Sequence, residues 1–286
     1  MTQRDYLLKK FFFIVVLVVF FTTLTNFWGC GKSEQAPDKE QQQKVLSKVG
    51  KIKAAGKLIV GTSAEYPPYE FHLLNNKEGD LVGLDIDIAN AIATELGVEL
   101  EIKDIVFHRL FNALNSGEVD LAIAGLVPSD NRKKVVDFSD VYYQAIQNMV
   151  IRAGDNGKIE CINDLRGKKV GTQKGSIQGD MVQKILLSGD FLETETIDEL
   201  IADLKSGTID AVILEKPVAE SYVFRNKDLI NTECTESDFD IQLGSAIAVK
   251  KENGDLLGMV NVILKKLKEN SQITEYIENA KVLMRK

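Results

Sequence analysis

Two segments of this chain carry nearly the same message. The stretch LFNALNSGEVDLAIAG at 110–125 is answered by LIADLKSGTIDAVILE at 200–215. Leu110, Leu114, Ser116, Gly117 and Asp120 match Leu200, Leu204, Ser206, Gly207 and Asp210 at a constant spacing. Each copy reads as an amphipathic helix ended by glycine, which accepts left-handed backbone, and then a short buried strand. A second echo, in the same order, pairs KLIVGTS at 57–63 with KKVGTQKG at 168–175, strand then turn. A chain that repeats such units is expected to fold as two lobes of like topology.

The rest of the pattern alternates. Residues 84–97 place Leu84, Ile88, Ile92 and Leu96 on one helical stripe before Gly97, and 99–105 alternates as a strand. Further helices are expected at 177–187, 197–205 and 217–226, with strands at 119–124, 169–172 and 209–213. Strands alternating with helices imply α/β architecture with mainly parallel sheets. Ligands of such sheets bind beyond the carboxyl ends of the strands, where Ser63, Gly125, Gln173 and Glu215 stand. The 286 residues, 44% of them hydrophobic, suffice for one or two packed domains. A net charge of −7 argues against nucleic acid as a partner.

The first residues differ from the body. Arg4, Lys9 and Lys10 precede the apolar run FFFIVVLVVFF, which is shorter than the roughly 20 residues of a spanning helix. Residues 1–29 therefore read as a secretory signal peptide. Gly29-Cys30 is followed by the polar stretch GKSEQAPDKEQQQK. Cys30 is expected to be lipidated and 30–50 to be a flexible tether, the alternative being a plain membrane anchor with an unmodified cysteine. The folded body would then lie outside the cytoplasm, in the periplasm or at the cell surface, held to the membrane by lipid. Cys161 and Cys234 have no CxxC or histidine companion, so no metal site is expected, and their pairing stays open.

A cation sits where cations are usually disfavoured. In GLVPSDNRKK, Arg132 falls in the first turn of a helix opened by Ser129, where backbone N–H groups already carry partial positive charge. Either it pairs with Asp130 or Asp137 on the surface, or it meets an anion from outside the chain.

The ordered set VGTSAEYPPYEF, GLDIDIANAIATELG, GEVDLAIAG, NRKKVVDFSDVYY, DLRGKKVGTQKGS and IDAVILEKPVAESY resembles the bacterial extracellular solute-binding proteins of family 3, from about residue 57 onward. The resemblance implies a two-lobed, type II periplasmic-binding-protein-like α/β fold with a ligand cleft between the lobes. Residues 51–144 and 245–286 would form one lobe and 145–244 the other, with chain crossings near 142–146 and 241–245.

It also implies roles. Arg132 would hold the α-carboxylate of a free amino acid through its two parallel donors. Free N–H groups of the loop Lys174–Ile177, with the Ser176 hydroxyl, would meet the same anion; a plain serine cap is the alternative. Glu215, where the family typically has aspartate, and the Gly125 carbonyl would take the ammonium, unless Glu215 merely pairs with Lys216 in solvent. Tyr66 and Phe107 would wall the ligand side chain, although Phe107 could be core beside Leu110 and Phe111. Ser63 and Val127 stand where many members carry Asp and a hydroxyl residue. Glu65, Tyr69 and Gln173 are left as possible readers of the side chain, with glutamine, arginine, lysine and histidine all open.

The expected partners are an ABC-type permease and its ATPase, with the protein a monomer and no cofactor needed. Two alternatives remain: an amino-acid sensor that serves no transporter, and a dehydratase using Glu215 or Glu65 as a cleft acid. His72 and His108 have no evident carboxylate partner, and no catalytic triad is visible.

Overall fold

The computed structural model describes residues 46–73, 80–186, 191–232 and 243–285. The signal peptide, Cys30 and Cys234 lie outside these residues.

The two echoes fold into the same unit. In one sheet, Lys57–Thr62 lies between Glu99–Asp104 and Leu121–Ala122, parallel to both; Ala248–Val249 and then Asp137–Phe138 extend it antiparallel. In the other, Val170–Gln173 lies between Phe191–Thr194 and Ala211–Glu215, again parallel; Gln147–Arg152 and then Leu229–Asn231 extend it antiparallel. The repeated aspartate does one job twice. Asp120 donates its N–H to the Ile59 carbonyl at 2.7 Å and accepts the Ile59 N–H at 2.8 Å. Asp210 treats Lys169 alike, at 2.7 and 3.0 Å. Gly117 and Gly207, both at φ 83°, end the helices Leu110–Ser116 and Ile197–Ser206.

Boundaries shift where these ties act. The strand expected at 119–124 keeps ladder pairing only over Leu121–Ala122, because Asp120 is already bound sideways to Ile59 and the chain turns at Gly125, φ 54°. Its counterpart runs Ala211–Glu215 rather than 209–213, for the same reason. The stretch expected to be tether, 30–50, ends in order: helix Lys48–Ala55 starts from a Ser47 cap, buries Ile52, and donates the Val49 N–H to Asp255 at 2.8 Å. Tyr143–Ala145 pairs antiparallel with Leu243–Ser245, so both chain crossings run side by side; 241–242 lie outside the described residues.

The helix Leu84–Leu96 buries Leu84, Ile88, Ile92 and Leu96, the expected stripe, against the helices Gly254–Glu269 and Gln272–Leu283. Each such side chain stabilises by roughly 1.5–3 kcal/mol on burial. The helix start is fixed from outside: the Leu84 N–H donates to the Pro68 carbonyl at 3.1 Å and the Asp85 N–H to that of Tyr69 at 2.9 Å. Only glycine fits before it. Gly83 has φ 133°, and a Cβ there would stand 2.1 Å from the Tyr69 carbonyl oxygen. Gly83→Ala is expected to cost about 1–3 kcal/mol of stability, read by denaturant unfolding; an unchanged midpoint would contradict this packing. Among the described residues no helix is long and apolar enough to cross a membrane.

Candidate functional site

The carboxyl ends of both sheets face one narrow, largely closed cavity. From the first lobe come Tyr66, Phe107, Gly125, Val127 and Arg132; from the second come Gln173, Ser176, Ile177 and Glu215. Thus nine expected residues converge. Ser63 does not line this cavity. It is buried and borders a neighbouring depression with Glu65, Asp104 and Thr196, because the chain bends away when Glu65–Tyr66 joins a separate small sheet.

Arg132 is only 9% exposed. Its Nη1 donates to the Val127 carbonyl and its Nη2 to the Gly175 carbonyl of the opposite lobe, each at 3.0 Å. The guanidinium carbon lies 5.6 Å from the Phe107 ring centre and 5.5 Å from that of Phe111. Phe107 therefore serves both as cavity wall and as the cation's face. No acidic side chain lies within ion-pair distance of Arg132 among the described residues; Asp137 pairs with Lys251 instead, at 3.2 Å. Burial lowers the guanidinium to about 10, with the charge of Asp180 opposing, so it stays charged at neutral pH. The helix that holds it, Asp130–Lys133, is a single turn capped by Ser129. A helix so short contributes little dipole, so the attraction for an anion comes from Arg132 itself.

The loop of the second lobe is less open than expected. The Ser176 N–H is spent on the Gln173 carbonyl at 3.0 Å and the Lys174 N–H on Thr194 at 2.9 Å. The Ser176 hydroxyl accepts the Gly179 N–H at 3.2 Å, capping helix Ile177–Ile185 while bordering the cavity. It retains its own proton to donate.

Glu215 is 2% exposed and is not the solvated partner of Lys216. It ends the strand Ala211–Glu215 and precedes helix Lys216–Arg225, whose start Pro217 suits. Tyr69 of the first lobe donates its hydroxyl to Glu215 Oε2. Burial pushes this carboxyl up to about 8; Tyr69 opposes, and the charge of Asp85 adds to the rise. Tyr69 itself is fully buried behind Glu215 and does not border the cavity, so it is no reader of the ligand side chain. Gln173 does border it, donating its amide to Glu65 Oε1 at 2.8 Å and to the Glu195 carbonyl at 3.2 Å. Burial raises Glu65 to about 7, with Asp198, Asp104 and Glu199 adding to it.

Two supporting residues escaped the sequence reading. Asp85 accepts the Gly125 N–H and the Tyr142 hydroxyl, both at 2.8 Å, so the Gly125 N–H points away from the cavity and the start of the chain crossing is tied to the same carboxylate. Its signal was an acid on the apolar stripe with Ile88 and Ile92. Gln178, one position past Ile177, borders the cavity and donates to Gln147 Oε1 at 2.9 Å. His72 has a carboxylate neighbour after all, Asp104 at 3.5 Å, brought in by folding.

These buried acids set a pH dependence. Burial raises Asp85 to about 6, against the donors Gly125 and Tyr142, and drives Glu70, which abuts Asp85 without a well-aligned hydrogen bond, well above the carboxylate range. A raised folded-state pKa means that folding takes up a proton, so this stability is full below about pH 4 and is lost as pH rises through 6, 7 and 8. The protein alone is expected to melt several degrees lower at pH 9 than at pH 5 by calorimetry. A melting temperature rising over that window would contradict the assignment.

The fold and the paired sheets define a two-lobed binding protein. The model of the bacterial extracellular solute-binding proteins, family 3, matches residues 58–279, and the chain belongs to that family. The arginine-binding extracellular protein ArtP of Bacillus subtilis is 40% identical over 220 residues, 76% of this chain and 83% of ArtP. The amino-acid ABC transporter substrate-binding protein AbpA of Streptococcus pneumoniae, solved with L-arginine, is 39% identical with TM-score 0.78, covering 82% of this chain and 99% of AbpA. The ancestral amino-acid-binding protein AncCDT-1, a precursor of cyclohexadienyl dehydratase, is 30% identical with TM-score 0.74, covering 82% and 99%. ArtP and AbpA both carry the name of binding proteins.

Proposed function

We propose that the chain captures a free cationic amino acid, L-arginine best of all, in the interlobe cavity and presents it to an ABC-type import permease with its ATPase. One observation carries this reading: a buried cation, Arg132, and a buried acid, Glu215, border one cavity from opposite lobes, and neither has an oppositely charged partner among the described residues. Buried charge is tolerable when paired, and a zwitterion supplies both partners at once. Arg132 takes the α-carboxylate, assisted by the Ser176 hydroxyl and the Ile177 N–H. Glu215 and the Gly125 carbonyl take the ammonium. The side chain runs between Tyr66 and Phe107 toward Gln173 and the acidic group around Glu65, which suits a guanidinium.

The moving units are 51–144 with 245–286 and 145–244, hinged at the paired crossings. Closure is favoured by ligand because only the closed form makes both sets of contacts. Arg132 to Gly175, Tyr69 to Glu215 and Gln173 to Glu65 already join the lobes. A signal peptide over 1–29 and a lipid on Cys30 would keep the protein outside the cytoplasm and near its permease.

The test is a thermal-shift screen of the body from about Gln42 against the twenty amino acids. A ligand at a hundredfold excess over Kd stabilises by about 2.7 kcal/mol. L-Arginine is expected to give the largest shift; no shift with any amino acid would overturn the reading. A dehydratase reading has one observation in its favour: Glu215, raised to about 8, holds a proton at neutral pH and could act as an acid. Turnover of prephenate-like acids would establish it.

A further inference from the structure

We propose that Tyr69 is a positioning residue: as the lobes close, its hydroxyl takes one oxygen of Glu215 and aims the other at the ligand's ammonium. The inference rests on the amino-acid reading above. Its starting point is a problem of reach. The Glu215 carboxyl is carried on two methylenes, so several rotatable bonds decide where it points. A flexible acid is a poor acceptor until something fixes it, because the freedom lost on binding weakens the contact.

Tyr69 supplies that fixing from the other lobe. The phenol is fully buried, and its only hydrogen-bond partner among the described residues is Glu215 Oε2. The ring is locked on both sides. It stacks on the cavity wall Tyr66 at 5.5 Å and 24°, and meets Tyr143 of the chain crossing edge-on at 5.7 Å and 79°. Its backbone is locked too, since its carbonyl accepts the Asp85 N–H and lies against Gly83, where no side chain fits. A rigid donor held by the wall, the crossing and a helix start can orient a carboxylate only when the second lobe arrives. The contact therefore belongs to the closed form, and it couples closure to the readiness of the ammonium site.

The experiment is isothermal calorimetry with L-arginine and with its analogue lacking the α-amino group. Wild-type protein must first bind L-arginine; if it does not, the functional reading fails and this inference falls with it. With binding established, Tyr69→Phe, which removes only the hydroxyl, is expected to lower L-arginine affinity about tenfold and to leave the weaker affinity for the deaminated analogue unchanged. In a Glu215→Asp background, where the acid is shorter and cannot reach the phenol, Tyr69→Phe is expected to have no further effect. Equal losses for both ligands, or equal losses in both backgrounds, would mean a merely structural role and overturn the proposal. So would wild-type affinity in Tyr69→Phe. If Tyr69→Phe fails to fold, Glu215→Asp still decides: it must reduce the preference for L-arginine over the deaminated analogue, and an unchanged preference overturns the proposal.

Discussion

Arg132→Ala is expected to weaken L-arginine binding by about 3–5 kcal/mol, some hundreds- to thousands-fold. The size follows from what is left behind. A carboxylate drawn into a closed, aromatic-lined cavity would lose its charged partner and keep only neutral donors. The effect should be uniform across amino acids, since all share that carboxylate. Arg132→Lys should recover part of the loss, because an ammonium keeps the charge but not the parallel pair of donors. The alanine variant should still fold, since the Val127 carbonyl keeps the Ser129 N–H at 2.9 Å and Gly175 is exposed to solvent. Calorimetry finding near wild-type affinity in a folded Arg132→Ala protein would remove the carboxylate assignment.

The second large effect belongs to Glu215. Glu215→Gln keeps shape and an acceptor while deleting the charge, and should weaken binding by about 2–4 kcal/mol. The variant should also change the pH profile. In the unliganded protein burial holds the Glu215 proton up to about 8. An ammonium beside the carboxyl favours its ionised form, so binding expels that proton below pH 8. Affinity should consequently rise as pH climbs from 6 to 8, with proton release visible as buffer-dependent enthalpy. In Glu215→Gln this part of the rise should vanish. A wild-type affinity that falls over the same window would reverse the sign and contradict the assignment.

Much of this was legible before folding. The recurrence of Ser-Gly and Asp at fixed spacing marks both lobes, because the physics it encodes is local: a glycine cap and an aspartate that ties two neighbouring strands. Arg132 drew notice as a cation in the first turn of an expected helix; that helix is the single turn Asp130–Lys133, and what stands out in the fold is the burial of the guanidinium. The supporting shell was harder. Tyr69 and Glu215 are 146 positions apart, and nothing local in either sequence points at the other. Gln173 and Glu65 are 108 apart. Such pairs are far apart along the chain and are brought together only by the tertiary fold. Ser63 misled for a related reason: it ends the right strand, yet the next residues join a small three-stranded sheet that turns it from the cavity. Asp85 was in plain view on an apolar stripe, where an acid has to be satisfied by something, here Gly125 and Tyr142.

A crystal structure of the protein grown with L-arginine examines the grip itself. The expected density places the ligand's carboxylate on the two Arg132 Nη atoms and its ammonium on Glu215, with Tyr69 still holding the far oxygen. An occupant seated elsewhere, or a residue 132 guanidinium swung into bulk solvent while ligand fills the cavity, would contradict it.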